Sequence, residues 1–272
     1  MVELRRTVRV CVGAGQPSDA RCGPNGHGGQ PAMRGIGAYY ELHVLCAGKP
    51  DPQTGYLVNI KTIDRAVRES VLPLIQSASV DRPTHPPASL MPGLVRALRD
   101  ALPVDLVSLR WSLTPTYSVE MVMSEREEVL LRQRFEFAAA HRLNVPSLSE
   151  EQNRNIFGKC NNPSGHGHNY EFEACVRLRL DDQSFGLPEL ERIVEDTIIT
   201  RFDHTHLNLD TDIFKDDAGL NPSVENIARV CYELLAPAIE AGSGNPKLEH
   251  VTVWETHRTR CTYPARPLTQ LG

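Results

Sequence analysis

The chain has 272 residues, of which 40% are hydrophobic and 23% charged, and its formal net charge is −5. This hydrophobic share is typical of a globular protein with a core of its own, and the length suits one large domain or two ordinary ones. The acidic balance argues against nucleic-acid binding, which needs a basic excess, and no apolar run reaches the roughly 18 residues of a membrane span.

Cysteine usage and the first residues of the chain indicate a compartment. The seven cysteines are an odd number without the regular spacing of a disulfide framework, which favours a reducing environment. The first ten residues include basic side chains but no apolar stretch of signal-peptide length. We therefore expect a cytoplasmic protein.

Hydrophobic periodicity in the first half predicts strands, then two helices, then strands again. In chain order these elements are strands over 8–12 and 39–46, helices over 60–77 and 90–102, and strands over 106–113 and 117–123.

The second half repeats this order. It predicts strands over 132–141 and 168–180, helices over 187–200 and 223–241, and two strands within 251–263, with Ser223 as a helix N-cap. A repeat of roughly 130 residues follows from the two outlines. We place a first unit at 1–124 and a second at 125–272, and the short polar turn 124–128 predicts a fixed connection rather than a tether.

Three histidines of the second half form a candidate metal site. His166 and His168 stand at i and i+2 and therefore share one face of a strand, and His141 ends the strand before. Three histidines with one open position are the usual ligands of a catalytic zinc ion. Cys160 lies nearby at the wrong spacing for a Cys-x-x-Cys ligand pair, which favours a reacting group over a fourth ligand.

Several ordered motifs together carry a family resemblance. They are the His141 segment, the run from Cys160 to Tyr170, and the segments 202–208, 222–228 and 253–256. Residues 134–263 resemble the 6-pyruvoyltetrahydropterin synthase and 6-carboxytetrahydropterin synthase family, zinc enzymes of the tunnelling fold that act on 7,8-dihydroneopterin triphosphate. The resemblance implies an α+β fold of tandem ββααββ units, whose antiparallel sheets carry helix pairs on one face and join into a homo-oligomeric barrel.

The resemblance also implies roles for single residues. Cys160, beside Lys159, takes the place of the general base, and Asp203 with His204 that of the proton-relay pair. Glu255 would anchor the pterin ring, whose adjacent N–H donors a carboxylate can accept. Ser223 stands where the family often has Thr beside the ring and is a weaker substrate contact. The stretch 184–188 is shorter than its family counterpart, which affects how the pocket is walled.

Three functions remain open at this point, two enzymatic and one non-catalytic. The favoured one eliminates triphosphate to give 6-pyruvoyltetrahydropterin, because Cys160 stands six residues before His166. The alternative gives 6-carboxytetrahydropterin and acetaldehyde, a step towards queuosine, and that branch more often has its Cys four residues before the first His. From a different class, the protein is a zinc-binding scaffold without turnover.

The first half lacks this set of residues. An alignment of the two halves puts Gln16 at the position of His141, pairs the run 24–29 with 163–168, and puts Ser112 near the position of Glu255. Of the three histidines, only His166 would then have a histidine as its counterpart, His27. One imidazole cannot hold a catalytic zinc ion, so we expect the first unit to be non-catalytic.

Overall fold

The computed structural model describes residues 1–13, 25–33, 35–125, 127–182, 184–215 and 219–265. Contacts divide the chain into unit 1, comprising residues 1–131 with 178–183, and unit 2, comprising 132–177 with 184–272. The predicted boundary after residue 124 stays a prediction. Among the helices described, none has the length and apolarity to cross a bilayer.

Unit 1 is an antiparallel sheet whose helices cover one face. Its strands, in sheet order, are β1 (Val2–Val12), β2 (Ala38–Gly48), β3 (Asp105–Ser112) and β4 (Tyr117–Val122). Its helices are α1 (Ile60–Ala66), α2 (Leu72–Asp81), joined to α1 by a π-helical turn at Val67–Val71, and α3 (Pro87–Ala101). Alternate strand residues such as Val8, Val10 and Leu42 are buried, as expected for a sheet with one covered face.

Unit 2 repeats this plan with added short elements. Its strands are β5 (Glu128–His141), β6 (His166–Arg179), β8 (Lys247–Thr256) and β9 (Thr259–Tyr263) in sheet order, and the two-residue β7 (Thr205–His206) pairs in parallel with β5. Its helical segments are α4 (Glu150–Phe157), a 3-10 turn (Gly158–Asn161), α5 (Leu187–Val194), a π-helical turn (Glu195–Ile199), α6 (Thr200–Phe202), α7 (Leu207–Asp210) and α8 (Val224–Glu240). The predicted α+β fold with antiparallel sheets and helices is confirmed, whereas joining into a barrel stays a prediction.

Stacked aromatic rings lead along the core of unit 2 towards the histidines. Phe135 stacks on Phe172 with ring centres 5.2 Å apart, and Phe137 on Tyr170 at 5.0 Å. Each ring is two residues from the next on its strand, so the same face continues to His141 on β5 and to His168 on β6. The strand face that packs into the core therefore becomes, at the strand ends, the face that carries the histidines.

The two sheets share one irregularity. A β-bulge interrupts the pairing of β2 with β3 between Leu45 and Cys46, and another interrupts β6 with β8 between Cys175 and Val176. Bulges change register by one residue and so give a fixed reference for comparing repeats.

Candidate active site

The three predicted histidines come together at the ends of β5 and β6. One ring nitrogen from each of His141, His166 and His168 lies within 4.8 Å of the others, and no other group of this kind occurs among the described residues. The Nε2 atoms of His141 and His166 are 3.0 Å apart. His141 is fully buried, while the other two are partly exposed.

The surroundings of His141 fix its tautomer. Its Nδ1 lies 2.7 Å from the carbonyl oxygen of Pro222, which only accepts hydrogen bonds, so Nδ1 carries the proton. The lone pair of Nε2 then faces the other two histidines. Burial lowers the pKa of His141 from 6.5 to about 4, the Pro222 carbonyl opposes this, and the neighbouring His166 and His168 add to it. His141 is therefore neutral at pH 7, as a metal ligand must be.

Glu255 on β8 lies directly beside this cluster. Its Oε1 is 3.6 Å from Nε2 of His141 and 3.7 Å from Nε2 of His168. Burial raises the pKa of the Tyr170 hydroxyl, and the charges of Glu255 and Cys160 raise it further. Tyr170 is hence a neutral phenol, with its oxygen 3.3 Å from Nδ1 of His141.

The nitrogen set fits a metal ion. Nε2 of His168 is buried and has no hydrogen-bond partner among the described residues. A buried nitrogen without a partner is costly unless something else satisfies it. Three neutral imidazoles are borderline ligands that suit zinc. His141, His166 and His168 would thus hold the ion.

Asp203 and His204 form the predicted pair. Nδ1 of His204 donates to Oδ2 of Asp203 over 2.7 Å, and Oδ1 of Asp203 accepts from the backbone N–H of Ala138 over 2.8 Å. That backbone hydrogen bond, aided by His204, lowers the pKa of Asp203. The carboxylate is therefore ionised and orients the imidazole.

His204 has a strained backbone and an exposed ring. Its φ of 56° lies in the left-handed region, which non-glycine residues rarely adopt. Its side chain is 83% exposed. Strain that is retained in a well-packed structure is frequent at functional sites.

An open cleft of about 580 Å³ is lined by His204 and, of the three candidate ligands, by His168. Its lining includes His204, Thr205, Asn169 and His168, together with the short side chains of Ala138–Ala140. Alanines and Gly167 leave these strand ends uncovered. His204 and one candidate metal ligand, His168, thus share this cleft.

Cys160 and Ser223 lie near the cluster without closing it. Cys160 is half-buried in the 3-10 turn after α4, and its carbonyl accepts from the N–H of Leu143. It is close enough to Tyr170 to influence the pKa of that hydroxyl. It is not among the residues that line the cleft. Ser223 is the N-cap of α8, where its hydroxyl accepts from the N–H of Asn226. Their predicted roles in base catalysis and substrate binding stay predictions.

His206 is a residue that the sequence pattern missed. It lies in β7, and Nε2 of its ring would be 2.5 Å from a Cβ placed on Gly165, just before His166. Its charge is one of the influences that lower the pKa of His141. The His-x-His spacing of His204 and His206 resembles that of His166 and His168. This spacing is the sequence feature that points to His206.

The registers of the two units correct the alignment of the first half. Counting back from the shared bulge equates His166 and His168 with Ile36 and Ala38, so the pairing of run 24–29 with run 163–168 is wrong. The same count puts Leu113, not Ser112, at the position of Glu255. Gln16 lies outside the described residues. Neither Ile36 nor Ala38 has a side chain that can bind a metal ion.

Comparisons with known proteins agree on one family. Residues 130–266 match the profile described as 6-pyruvoyl tetrahydropterin synthase. The chain is 33% identical over 141 residues to the human 6-pyruvoyl tetrahydrobiopterin synthase, covering 51% of this chain and 92% of that protein. It is 39% identical over 109 residues to the Drosophila melanogaster protein of that name, covering 39% of this chain and 63% of the relative. A solved structure of the Caenorhabditis elegans 6-pyruvoyl tetrahydropterin synthase is 32% identical, with a TM-score of 0.46, over 51% of this chain and 96% of that one.

Proposed function

The chain belongs to the 6-pyruvoyl tetrahydropterin synthase family, and we propose that it converts 7,8-dihydroneopterin triphosphate into 6-pyruvoyltetrahydropterin with release of triphosphate. The observation that carries this proposal is the convergence of His141, His166, His168 and Glu255 within the matched segment. Unit 2 would supply this chemistry.

A zinc ion held by the three histidines would act as a Lewis acid that lowers the pKa of hydroxyl groups on the substrate side chain. Glu255 would accept the adjacent N–H donors of the pterin edge in bidentate fashion and so orient the ring. Its position next to the nitrogens of His141 and His168 supports this arrangement, because a ring bound there would hold its side chain over the metal-ligand cluster.

Two groups would move protons. Asp203 holds Nδ1 of His204, so Nε2 is the atom that takes or gives a proton at the cleft. Cys160, as its thiolate, would take a proton from the substrate side chain and, as the resulting thiol, return it to a neighbouring carbon. The 83% exposure of His204 supports access from the cleft.

Assembly would complete the site. The cleft is open, and β9 ends the sheet of unit 2 in the described chain. Unpaired strand edges invite pairing with another chain. We propose a homo-oligomer in which neighbouring units wall the cleft, located in the cytoplasm, where the six described cysteines, all free, would stay reduced.

One incubation tests the proposal. The full-length, zinc-loaded chain is given 7,8-dihydroneopterin triphosphate, and pterin products, triphosphate and acetaldehyde are measured together. We expect triphosphate and 6-pyruvoyltetrahydropterin in equal amounts without acetaldehyde. Acetaldehyde in equal amount would mean the 6-carboxytetrahydropterin reaction instead, and unchanged substrate would mean a scaffold without turnover.

A further inference from the structure

Unit 1 has a cavity of its own, away from any metal-ligand set. It measures about 570 Å³ and is lined by three groups of residues. Tyr39, Glu41 and His43 come from β2, Arg110 and Ser112 from β3, and Leu113 to Pro115 from the turn that follows. A volume of this size is within the range of small-molecule sites.

One wall of this cavity has a small residue where unit 2 has a tryptophan. The bulge register equates Ser112 with Trp254 and Glu41 with Glu171. In unit 2 the indole of Trp254 fills this position beneath the guanidinium of Arg134, 4.8 Å away, and the corresponding cavity has only about 250 Å³. Ser112 leaves the space of an indole open in unit 1.

The polar floor of the cavity is ordered by hydrogen bonds. Glu41 Oε1 accepts from Nε of Arg9 at 3.0 Å and from the Tyr39 hydroxyl at 3.1 Å. The ring of His43 bridges the hydroxyls of Thr7 and Ser112, at 2.9 and 3.1 Å. Burial, helped by the charge of Arg110, lowers the pKa of His43, so this ring is neutral at pH 7.

Arg110 contributes a guanidinium group to this floor, and that group is not fully hydrogen-bonded. Its Nε is buried and has no hydrogen-bond partner among the described residues. Glu120 lies opposite it on β4 but accepts from the hydroxyl of Ser108, while Glu41 is engaged by Arg9. A guanidinium with a buried free N–H is best satisfied by a carboxylate, whose two oxygens match its fork.

We propose that this cavity binds a small organic carboxylate with a planar apolar body, the carboxylate on Arg110 and the body against Leu113 and Pro115. Ser112, in the same lining, holds the ring of His43 beside this site. The apolar wall requires a carbon skeleton, so an inorganic anion would meet only half of the site. Unit 1 thus has a ligand site that differs from the pterin cleft in place and chemistry.

Benzoate is the probe, titrated into the full-length chain in a calorimeter. We expect one saturable site per chain. Arg110→Gln should weaken binding at least tenfold by removing the charged partner, and Ser112→Trp should abolish it by filling the cavity as Trp254 does in unit 2. Benzamide, which has the same shape without charge, should bind at least tenfold more weakly, and inorganic phosphate should give no saturable heat.

Controls separate this site from others. Ser79→Trp adds an indole at an exposed position of α2 and should leave benzoate binding unchanged, as should Glu255→Gln in unit 2. If circular dichroism shows that Ser112→Trp is unfolded, Arg110→Gln alone decides. Absence of saturable binding in the millimolar range, binding that survives Arg110→Gln, loss on Glu255→Gln, or phosphate binding as tight as benzoate would overturn the proposal.

Discussion

Nδ1 of His141 donates a 2.7 Å hydrogen bond to the carbonyl oxygen of Pro222. The two residues are distant in sequence, and the bond ties the end of β5 to the residue before the N-cap of α8. It sets the protonated nitrogen of the ring and hence the direction of the free lone pair. A partner of this kind typically orients a metal-ligating histidine and raises its basicity.

Zinc content follows from this arrangement. The purified chain should contain about one zinc ion, and His166→Ala combined with His168→Ala should contain almost none, because one imidazole does not retain the ion. Elemental analysis of dialysed protein measures this. His85→Ala, at an exposed position of unit 1, is the control and should keep the metal. Two ions per chain, or undiminished zinc in the double variant, would contradict the ligand assignment.

The low pKa of His141 makes the zinc-free protein sensitive to acid. Burial lowers this pKa from 6.5 to about 4, so between these pH values the unfolded chain binds a proton that the folded chain does not. The free energy of unfolding should be largest above pH 6.5, fall by up to about 3 kcal/mol between pH 6.5 and 4, and level off below.

Urea unfolding after chelation measures this dependence. The chain has two tryptophans, so Trp111→Phe leaves Trp254 as a reporter of unit 2. In this background His141→Asn should flatten the pH dependence between 6.5 and 4, whereas His85→Asn should not. An equal slope with and without His141 would show that this ring does not carry the effect.

The histidine triad could be predicted because it depends on local periodicity. His166 and His168 share a strand face by their spacing alone, and His141 ends a strand whose alternation is clear. The carbonyl of Pro222 could not be predicted, because every residue has a carbonyl and its position depends on tertiary packing. Ser149 and Gln152 form the capping box that begins α4. This pattern can be recognised in a sequence, but no helix was predicted between the strands 132–141 and 168–180.

The alignment of the first half failed for a physical reason. A Gly-rich run around His27 resembles the run before His168, yet strand pairing is set by the bulge at Leu45 and Cys46. A bulge has no clear sequence signature, and one residue of register moves a side chain to the other face. Counting from the bulge that both sheets share makes Leu113, rather than Ser112, the counterpart of Glu255.

Cys160→Ala should keep the fold and the zinc but lose turnover. A positioned acid–base group typically contributes about 10²–10⁴-fold to the rate, so kcat should fall within that range. Steady-state kinetics with 7,8-dihydroneopterin triphosphate, together with zinc analysis, measure both effects. Cys261→Ala, half-buried on β9, is the matched control and should keep its rate. Activity within threefold of the unmodified chain would make Cys160 a bystander.

Glu255→Gln should act on substrate binding. The amide keeps the shape of the side chain but presents an N–H to a ring donor, so KM should rise more than kcat falls. Because Glu255 lies 3.6 Å from Nε2 of His141, zinc content is measured in the same variant. Glu171→Gln, whose carboxylate pairs with Arg134 on the same sheet, is the control. Loss of zinc with unchanged KM would assign Glu255 to the metal rather than to the pterin.

Gly165→Ala tests how the turn before His166 supports the cluster. Gly165 has a φ of +71°, and a Cβ there would lie 2.5 Å from Nε2 of His206 and 3.1 Å from the carbonyl oxygen of His141. The His206 ring and the end of β5 would both have to shift, which moves His141 and His166 apart. We expect zinc affinity to fall at least about tenfold, the lower end of the effect of losing support around a metal ligand.

Gly219→Ala is the matched control for this variant. Gly219 has the same φ of +71° in unit 2, but a Cβ there meets nothing within 4 Å. Both variants carry the left-handed backbone cost of roughly 1–2 kcal/mol, and only Gly165→Ala adds the clash with His206. Zinc competition with a chelator and urea unfolding should therefore show similar backbone costs but a loss of zinc affinity in Gly165→Ala alone. Equal zinc affinities in the two variants would mean that the turn at Gly165 does not hold the histidines in place.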